Sequence, residues 1–364
     1  MSKMNNFFTL MVERNASDMF FSADTPLHIK IDGRILPVGG DLLTASTVAK
    51  LAYSLMDEEQ RRAFEERPEL NLGRELEGLG RFRINIFRQR GQLAMVIRYL
   101  KDKIPSFEEL NLPPVMADLS LKKRGLILLV GATGSGKTTT LAAMTDYRNT
   151  NSASHILTIE DPIEYVHRYK RSIVNQREVG LDTLSYADAL KNAMREAPDV
   201  ILIGEIRDRD TMQHALAYAE TGHLCLSTLH ATNANQALQR VISFFPESMY
   251  QQIFMDLAHN LTAIISQRLV VGREGHRLPA VEVLLATAYI RDLIQKGAVD
   301  EVRAAMEKNP ESGMQTFDQS LFQLYRDGMI TETEALQHAE SLSNLGVKIR
   351  LSKGAIPEFD RSRL

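Results

Sequence analysis

Alternation of apolar and polar positions organises the first hundred residues of the chain. Leu27, Ile29 and Ile31 alternate with His28, Lys30 and Asp32, which predicts a strand, and the Asp32-Gly33 pair then predicts a hairpin turn. Upstream, Phe7, Phe8, Leu10 and Met11 run into Glu13, Arg14 and Asn15, which reads as an amphipathic first helix rather than a signal peptide. Asp57, with Gln60 three residues on, has the spacing of a capping box, so a helix is expected through 61–66 until Pro68 stops it. Within 81–100, Phe82, Ile84 and Ile86 alternate with Arg81, Arg83 and Asn85. A two-residue turn at Arg90-Gly91 would set Phe82 opposite Tyr99, Ile84 opposite Ile97, Ile86 opposite Met95 and Arg83 opposite Arg98. One face of that hairpin is wholly apolar. The other places like charges across from each other, which destabilises a sheet, so it asks for an anionic partner; a solvated face with splayed arginines is the other reading of the same pair.

The pattern changes after a connector over 101–120, which carries the capping signal Ser106…Glu109 and the breaker Pro113-Pro114. From Leu121 onward short apolar runs at 126–130, 155–159, 200–203 and 224–227 alternate with helical segments. These helices are expected from about Gly136, near 186–196 behind Ser185, and near 210–220. Strands separated by helices imply an α/β fold with a parallel sheet covered on both faces. The remainder from about Asn233 reads as mostly helical, and the stretch from Gly346 as a weakly structured tail. The expected organisation is an N-terminal domain over 1–100, a linker over 101–120, a nucleotide-binding domain over 121–345 with a helical C-terminal part, and a flexible tail over 346–364.

Composition narrows the class. The 364 residues are 44% hydrophobic and 24% charged, which excludes disorder, collagen and coiled coil as overall types. With 43 basic and 46 acidic residues there is no global field drawing the chain onto nucleic acid. The single cysteine, Cys225, makes neither an internal disulfide nor a cysteine zinc site, and points to a reducing compartment, the cytoplasm. No apolar run approaches the roughly 20 residues of a membrane-spanning helix.

Chemistry enters at residues 131–138, which fit G-x-x-x-x-G-K-[ST] without departure directly behind an apolar strand and ahead of a helix. Gly131, Thr133, Gly134, Ser135, Gly136, Lys137, Thr138 and Thr139 are the candidate nucleotide-binding residues, for ATP with Mg²⁺. Glycines let backbone N–H groups curl around phosphate, Lys137 reaches the β- and γ-phosphates, and Thr138 holds the metal. Hydrolysis further needs carboxylates at neighbouring strand ends. Two strands end that way, one in Glu160, Asp161 and Glu164, the other in Glu205. His230 follows the strand at 224–227 in the same manner, placed to hydrogen-bond a γ-phosphate or a catalytic carboxylate, although a lone histidine is usually structural.

Taken together, Gly131 to Thr138, Ile159-Glu-Asp-Pro-Ile-Glu164, Gly204-Glu205-Ile-Arg-Asp208 and the stretch Thr221-Gly-His-Leu through Thr228-Leu-His230 resemble, in order and spacing, the Walker A, Asp, Walker B and His boxes of the secretion ATPases. Ser17-Asp18, Gly80-Arg-Phe-Arg-Ile84, Gln176-Arg-Glu178 and Gly313-Met-Gln-Thr316 further resemble the pilus-retraction branch, the PilT/PilU family of twitching-motility ATPases, over about residues 5–340. The resemblance implies a PAS-like N-terminal α+β domain, a RecA-like P-loop core, and a cytoplasmic homo-hexamer at the pilus base on the inner membrane. It implies pilin removal driven by ATP hydrolysis, with an inner-membrane platform protein and a paralogous retraction ATPase as partners and no nucleic acid. Residue by residue, Glu164 becomes the general base, Glu205 the Walker B carboxylate for Mg²⁺ or water, and His230 the γ-phosphate sensor. Arg81, Arg83 and Arg98 match the family's N-terminal arginines, which supplies the anion missing from the hairpin.

Two features set this chain apart within that branch. Tyr289-Ile-Arg-Asp-Leu-Ile-Gln-Lys296 keeps only Ile290, Arg291, Leu293 and Ile294 of a helix motif resembling A-I-R-N-L-I-R-E, and the basic tail is longer than a PilT-like end. Both resemble the accessory, PilU-like paralogue, and they motivate an alternative in which the chain is a nucleotide-gated coupling subunit docked on a paralogous motor. The extension ATPases usually carry a tetracysteine zinc insert, which one cysteine excludes here.

Overall fold

The computed structural model describes residues 3–31, 33–100, 103–308 and 313–355, which form two compact units. The first holds the chain up to Lys103 together with the segments Pro162–His167 and Gly180–Asp182, and the second holds the rest.

In the first unit α1 (Lys3–Glu13) precedes β1 (Asp18–Phe21), β2 (Pro26–Ile31) and β3 (Arg34–Leu42). Then come α2 (Ala45–Tyr53), α3 (Glu58–Glu66), β4 (Glu69–Leu76), β5 (Gly80–Gln89) and β6 (Gln92–Leu100). The six strands make one antiparallel sheet in the order β3-β2-β1-β6-β5-β4. The amphipathic first helix forms because Met4, Phe8 and Met11 recur at helical spacing and bury against Phe82, Ile84, Ile86 and Met95 of the sheet. Phe8 and Phe82 stack with centroids 4.5 Å apart. The capping box at α3 is complete, Gln60 N–H donating to Asp57 Oδ1 at 2.8 Å and Asp57 N–H to Gln60 Oε1 at 3.1 Å. The expected turn after β2 includes Asp32, which lies outside the described residues.

Register in the β5–β6 hairpin follows the alternation: Phe82↔Tyr99, Ile84↔Ile97, Ile86↔Met95 and Arg83↔Arg98. Both turn residues, Arg90 and Gly91, adopt positive φ, as a two-residue turn matched to strand twist requires. The like-charged pair is relieved from within the chain. Arg98 Nε donates to Asp18 Oδ1 at 2.8 Å from the neighbouring strand β1, and the Ser17 hydroxyl donates to Asp18 Oδ2 at 2.9 Å. Asp18 is buried, so it supplies the anion that the hairpin's polar face asked for.

The second unit begins with α4 (Val115–Ser120), β7 (Gly125–Val130), α5 (Lys137–Asn151), β8 (His155–Glu160) and β9 (Ile173–Glu178). It continues through α6 (Tyr186–Ala193), β10 (Val200–Ile203), α7 (Arg209–Glu220), β11 (Leu224–Leu229), α8 (Ala234–Ser243) and α9 (Tyr250–Asn260). The last elements are β12 (Leu261–Val271), β13 (Arg277–Leu285), α10 (Ala288–Gln295), α11 (Val302–Glu307), α12 (Phe317–Arg326), α13 (Glu332–Gln337) and α14 (Leu342–Ala355). Seven strands lie in the order β13-β12-β7-β11-β10-β8-β9, all parallel except β13, which runs antiparallel to β12. The central strands β7, β10 and β11 are buried along their whole length, as a sheet covered on both faces demands.

Three expectations need correction. The stretch after Asn233 is not helical throughout: β12 and β13 interrupt its helices and pair over nine residue positions, from Ala263↔Leu285 to Val271↔Arg277. Leu261-Thr-Ala-Ile-Ile-Ser packs into both helical layers, with Ile264 in one core and Ala263 and Ile265 in the other, and such a run lacks a period that separates strand from buried helix. The edge strand β9 was not expected either. The tail expected from Gly346 stays helical to Ala355, since Leu345 and Ile349, one turn apart, are buried with Phe317 and Leu321 of α12. Residues 356–364 of the expected tail lie outside the described residues, as do Lys101 and Asp102 of the connector. From Ile104 the connector belongs to the second unit, where Phe107, Leu112, Met116 and Leu119 are buried and Ser106 and Glu109 cap one another. Arg291, one of the motif residues of α10, donates to the carbonyls of Ala258 and His259 at the end of α9.

Two stability outcomes follow from this packing. Arg98→Ala leaves the buried Asp18 carboxylate unpaired and should cost about 1 kcal/mol, while Arg83→Ala, which removes one of two repelling charges, should not lower the melting temperature; thermal melts of both variants check the contrast. Glu282 on β13 is buried and accepts from Ala234 N–H at 2.7 Å and the Ser266 hydroxyl at 2.8 Å, both at Oε1. Burial raises its carboxyl from 4.5 to about 7. The folded state thus holds a proton that the unfolded chain releases near 4.5, so stability declines as pH rises from about 4.5 to 7, by roughly 3 kcal/mol. Glu282→Gln should flatten that decline in melts recorded between those values.

Candidate nucleotide site

The P-loop leaves β7 at its C-terminal end and opens α5 with Gly136 as the N-cap. Gly131 and Gly136 adopt φ of +154° and +89°, and a Cβ at either would lie 2.5 Å from the Gln267 carbonyl oxygen or 2.7 Å from Gln267 Nε2. Glycine is therefore required at both by conformation and by the approach of β12. Gln267 also accepts from the Thr140 hydroxyl at 2.8 Å, so one buried side chain supports the first turn of the helix. Lys137 Nζ donates to the Gly131 and Ala132 carbonyls at 2.8 and 2.9 Å, folded back over its own loop.

Two cavities border this loop. One of about 380 Å³ is lined by residues 131–135 with Thr232, Arg268 and His338. The other, about 400 Å³, is lined by Gly136, Thr139 and Thr140 with Glu109, His276 and Arg277, and Gln267 faces both. The Ser135 hydroxyl is buried without a hydrogen-bond partner among the described residues. An orphaned donor, a helix N-terminus and a lysine on one glycine cradle fit a polyphosphate.

The strand ends beside the loop carry the acids. Glu160 closes β8, accepting from Thr158 Oγ1 at 2.7 Å and Gln176 Nε2 at 3.3 Å. Glu205 stands just beyond β10, behind a residue whose backbone is held on both sides: Gly204 N–H donates to the Ile159 carbonyl at 2.8 Å, and Thr228 Oγ1 to the Gly204 carbonyl at 2.7 Å. Both Glu205 oxygens are engaged. Arg207 Nε donates to Oε2 at 2.7 Å, and His230 Nε2 lies 3.0 Å from Oε1. Arg207 Nη1 lies 3.9 Å from Asp161, and the Glu205 hydrogen bond keeps the guanidinium pKa above its ordinary value. Of the two roles left open for His230, the carboxylate contact is present. Among the described residues no cluster of three or more His, Cys, Asp or Glu side chains makes a metal cage. Mg²⁺ shared with phosphates needs only one or two protein oxygens, and Thr138 and Glu205 are of that hard-oxygen type.

The structure thus brings together the loop residues in one place and Glu205, His230, Asp161 and Arg207 in another at the same sheet edge. Glu164 is half-buried on Pro162–His167, which belongs to the first unit, as do Arg81, Arg83 and Arg98. Gln267, Arg268, Arg277 and Tyr186 were not foreseen. Arg207 had a signal, since it sits inside the box that ends at Asp208, two residues after Glu205 and able to fold back on it.

A model of the Type II/IV secretion system protein family matches residues 2–321. The type IV pilus ATPase PilU of Pseudomonas aeruginosa is 52% identical over 94% of this chain and 90% of its own length. The type IV pilus retraction ATPase PilT of the same organism is 41% identical over 91% of this chain and 96% of its own. Among solved structures, the pilus retraction motor PilT with bound ADP superposes with a TM-score of 0.88 at 42% identity, covering 95% of this chain and all of that one. Matched along nearly its whole length, the chain belongs to the Type II/IV secretion system protein family and, within it, to the group that holds the pilus ATPases PilU and PilT.

Proposed function

We propose that this protein is an ATP-hydrolysing motor subunit that drives or assists retraction of a type IV pilus. The observation that carries the reading is the P-loop beside a doubly engaged Glu205 at one sheet edge, in a chain with 52% identity to PilU. Lys137 unfolds from the Gly131 and Ala132 carbonyls to reach phosphate, and Ser135 and the N–H groups of 133–136 bind its oxygens. Mg²⁺, when bound, would neutralise phosphate charge. Thr138 and Glu205 would hold it, Glu164 would take the proton from the attacking water, and His230 would report on the γ-phosphate through Glu205. Arg81, Arg83 and Arg98 would serve the same triphosphate from the N-terminal unit, a PAS-like domain in this reading, with the RecA-like core as the second.

The family supports a homo-hexamer working at the inner-membrane face of the pilus base with a platform protein and a paralogous retraction ATPase. Among the described residues no helix is long and apolar enough to cross a membrane. Whether the chain retracts pili itself or couples to a paralogous motor is decided by deleting its gene with and without that of the paralogue and scoring retraction directly. Retraction that persists in cells lacking only the paralogue and is lost in the double deletion supports a motor; loss of retraction in cells lacking only the paralogue supports the coupling role.

Two chemical tests go with it. Lys137→Ala should abolish ATP turnover while the melting curve is retained. Glu205→Gln should still bind ATP but hydrolyse it orders of magnitude more slowly, because an amide neither holds Mg²⁺ as a carboxylate does nor takes a proton; a binding assay run beside steady-state turnover separates the two.

A further inference from the structure

Tyr186 opens α6, with Ser185 as its N-cap accepting from Asp188 N–H at 3.1 Å, and this start fixes where the phenol goes. The hydroxyl lies against the backbone of Gly204: a Cβ at that position would come within 2.9 Å of Tyr186 Oη and 3.2 Å of the Glu160 Cα. The residue before Glu205 thus has no side chain, and the phenol oxygen occupies the space a side chain would take. Its charged neighbours are Asp161, Arg207, Glu160 and Glu205. Among the described residues none accepts a hydrogen bond from Oη, which leaves its proton available at the strand end that carries Glu205. Burial, followed by the Asp161 charge, pushes the phenol well above its ordinary pKa, so it remains a protonated donor.

We propose that Tyr186 is a positioning residue for ATP hydrolysis: its hydroxyl donates its one hydrogen bond to the Glu205 carboxylate when that carboxylate leaves Arg207, and keeps Glu205 aligned. The proposal rests on the hydrolytic reading of the site. The chemistry favours a phenol here. A cation would neutralise the acids that must hold Mg²⁺, and an acid would add repulsion, whereas a neutral donor replaces the Arg207 hydrogen bond at Glu205 without adding charge. The step itself is unchanged: water attacks, the phosphoanhydride bond breaks, the proton passes to a carboxylate, and the tyrosine keeps its own.

Tyr186→Phe removes only the hydroxyl. Steady-state ATP turnover, the dissociation constant for a fluorescent ATP analogue, the Mg²⁺ concentration for half-maximal rate, and a thermal melt are measured on the full-length parent and variant. The expected result is a kcat lower by about tenfold and a raised Mg²⁺ requirement, with analogue binding and the melt unchanged. Parental kcat and Mg²⁺ requirement overturn the proposal. A fall in melting temperature that accompanies lost binding overturns it too, in favour of a packing role. A parent protein that does not hydrolyse ATP overturns the hydrolytic reading instead, which keeps the two failures distinct.

Discussion

Parallel pairing of β7, β11, β10 and β8 is the constraint from which the site follows. Parallel strands deliver all their C-terminal ends to one edge; their registers put Leu128, Ser227, Ile203 and Ile159 at one level close to it, and β7 and β11 run two residues further, to Val130 and Leu229. Whatever residue comes next on each strand is then a neighbour of the others. Here those residues are the glycine loop, His230, Gly204 with Glu205, and Glu160 with Asp161. A sheet so deeply buried has no freedom to slip, because a shift of one residue would turn apolar side chains out of both helical layers. The positions of the loop and of the acids are thus set by hydrophobic packing, and polar contacts only refine them.

The refinements share one design, in which charge is engaged locally before any ligand is considered. Glu205 is shared between Arg207 and His230, Lys137 rests on its own loop carbonyls, and Arg98 is held by Asp18. Arg207 is largely exposed and His230 half so, so these contacts are individually weak in water and readily exchanged for phosphate or metal. The arrangement keeps the site from accumulating unpaired charge without fixing it.

What could be read from the chain divides along physical lines. Local periodicity and local hydrogen-bonding chemistry were legible: the β5–β6 register, the α3 capping box, the P-loop between strand and helix, and the acids at strand ends all depend on residues close together in sequence. Partnerships across long separations were not. Asp18 meets Arg98 from eighty positions away, and Gln267 meets Thr140 from 127. Nothing in either segment announces the other. Strands β12 and β13 escaped because burial on both faces erases the alternation that identifies a strand, and the helical continuation of α14 escaped because only its packing on α12 distinguishes Leu345 and Ile349 from scattered surface residues.

The β12–β13 hairpin has a mechanical meaning. Its nine paired positions tie Gln267, and with it the first turn of α5, to Val281 and Glu282, which are bonded in turn to Ser320 on α12 and Ala234 at the head of α8. A ladder of that length is stiff along its strands, and shearing it means breaking many backbone hydrogen bonds at once. The loop that cradles phosphate and the helices near the end of the chain therefore behave as one casting. A change that loosens the hairpin at its far end reaches Lys137 without touching it.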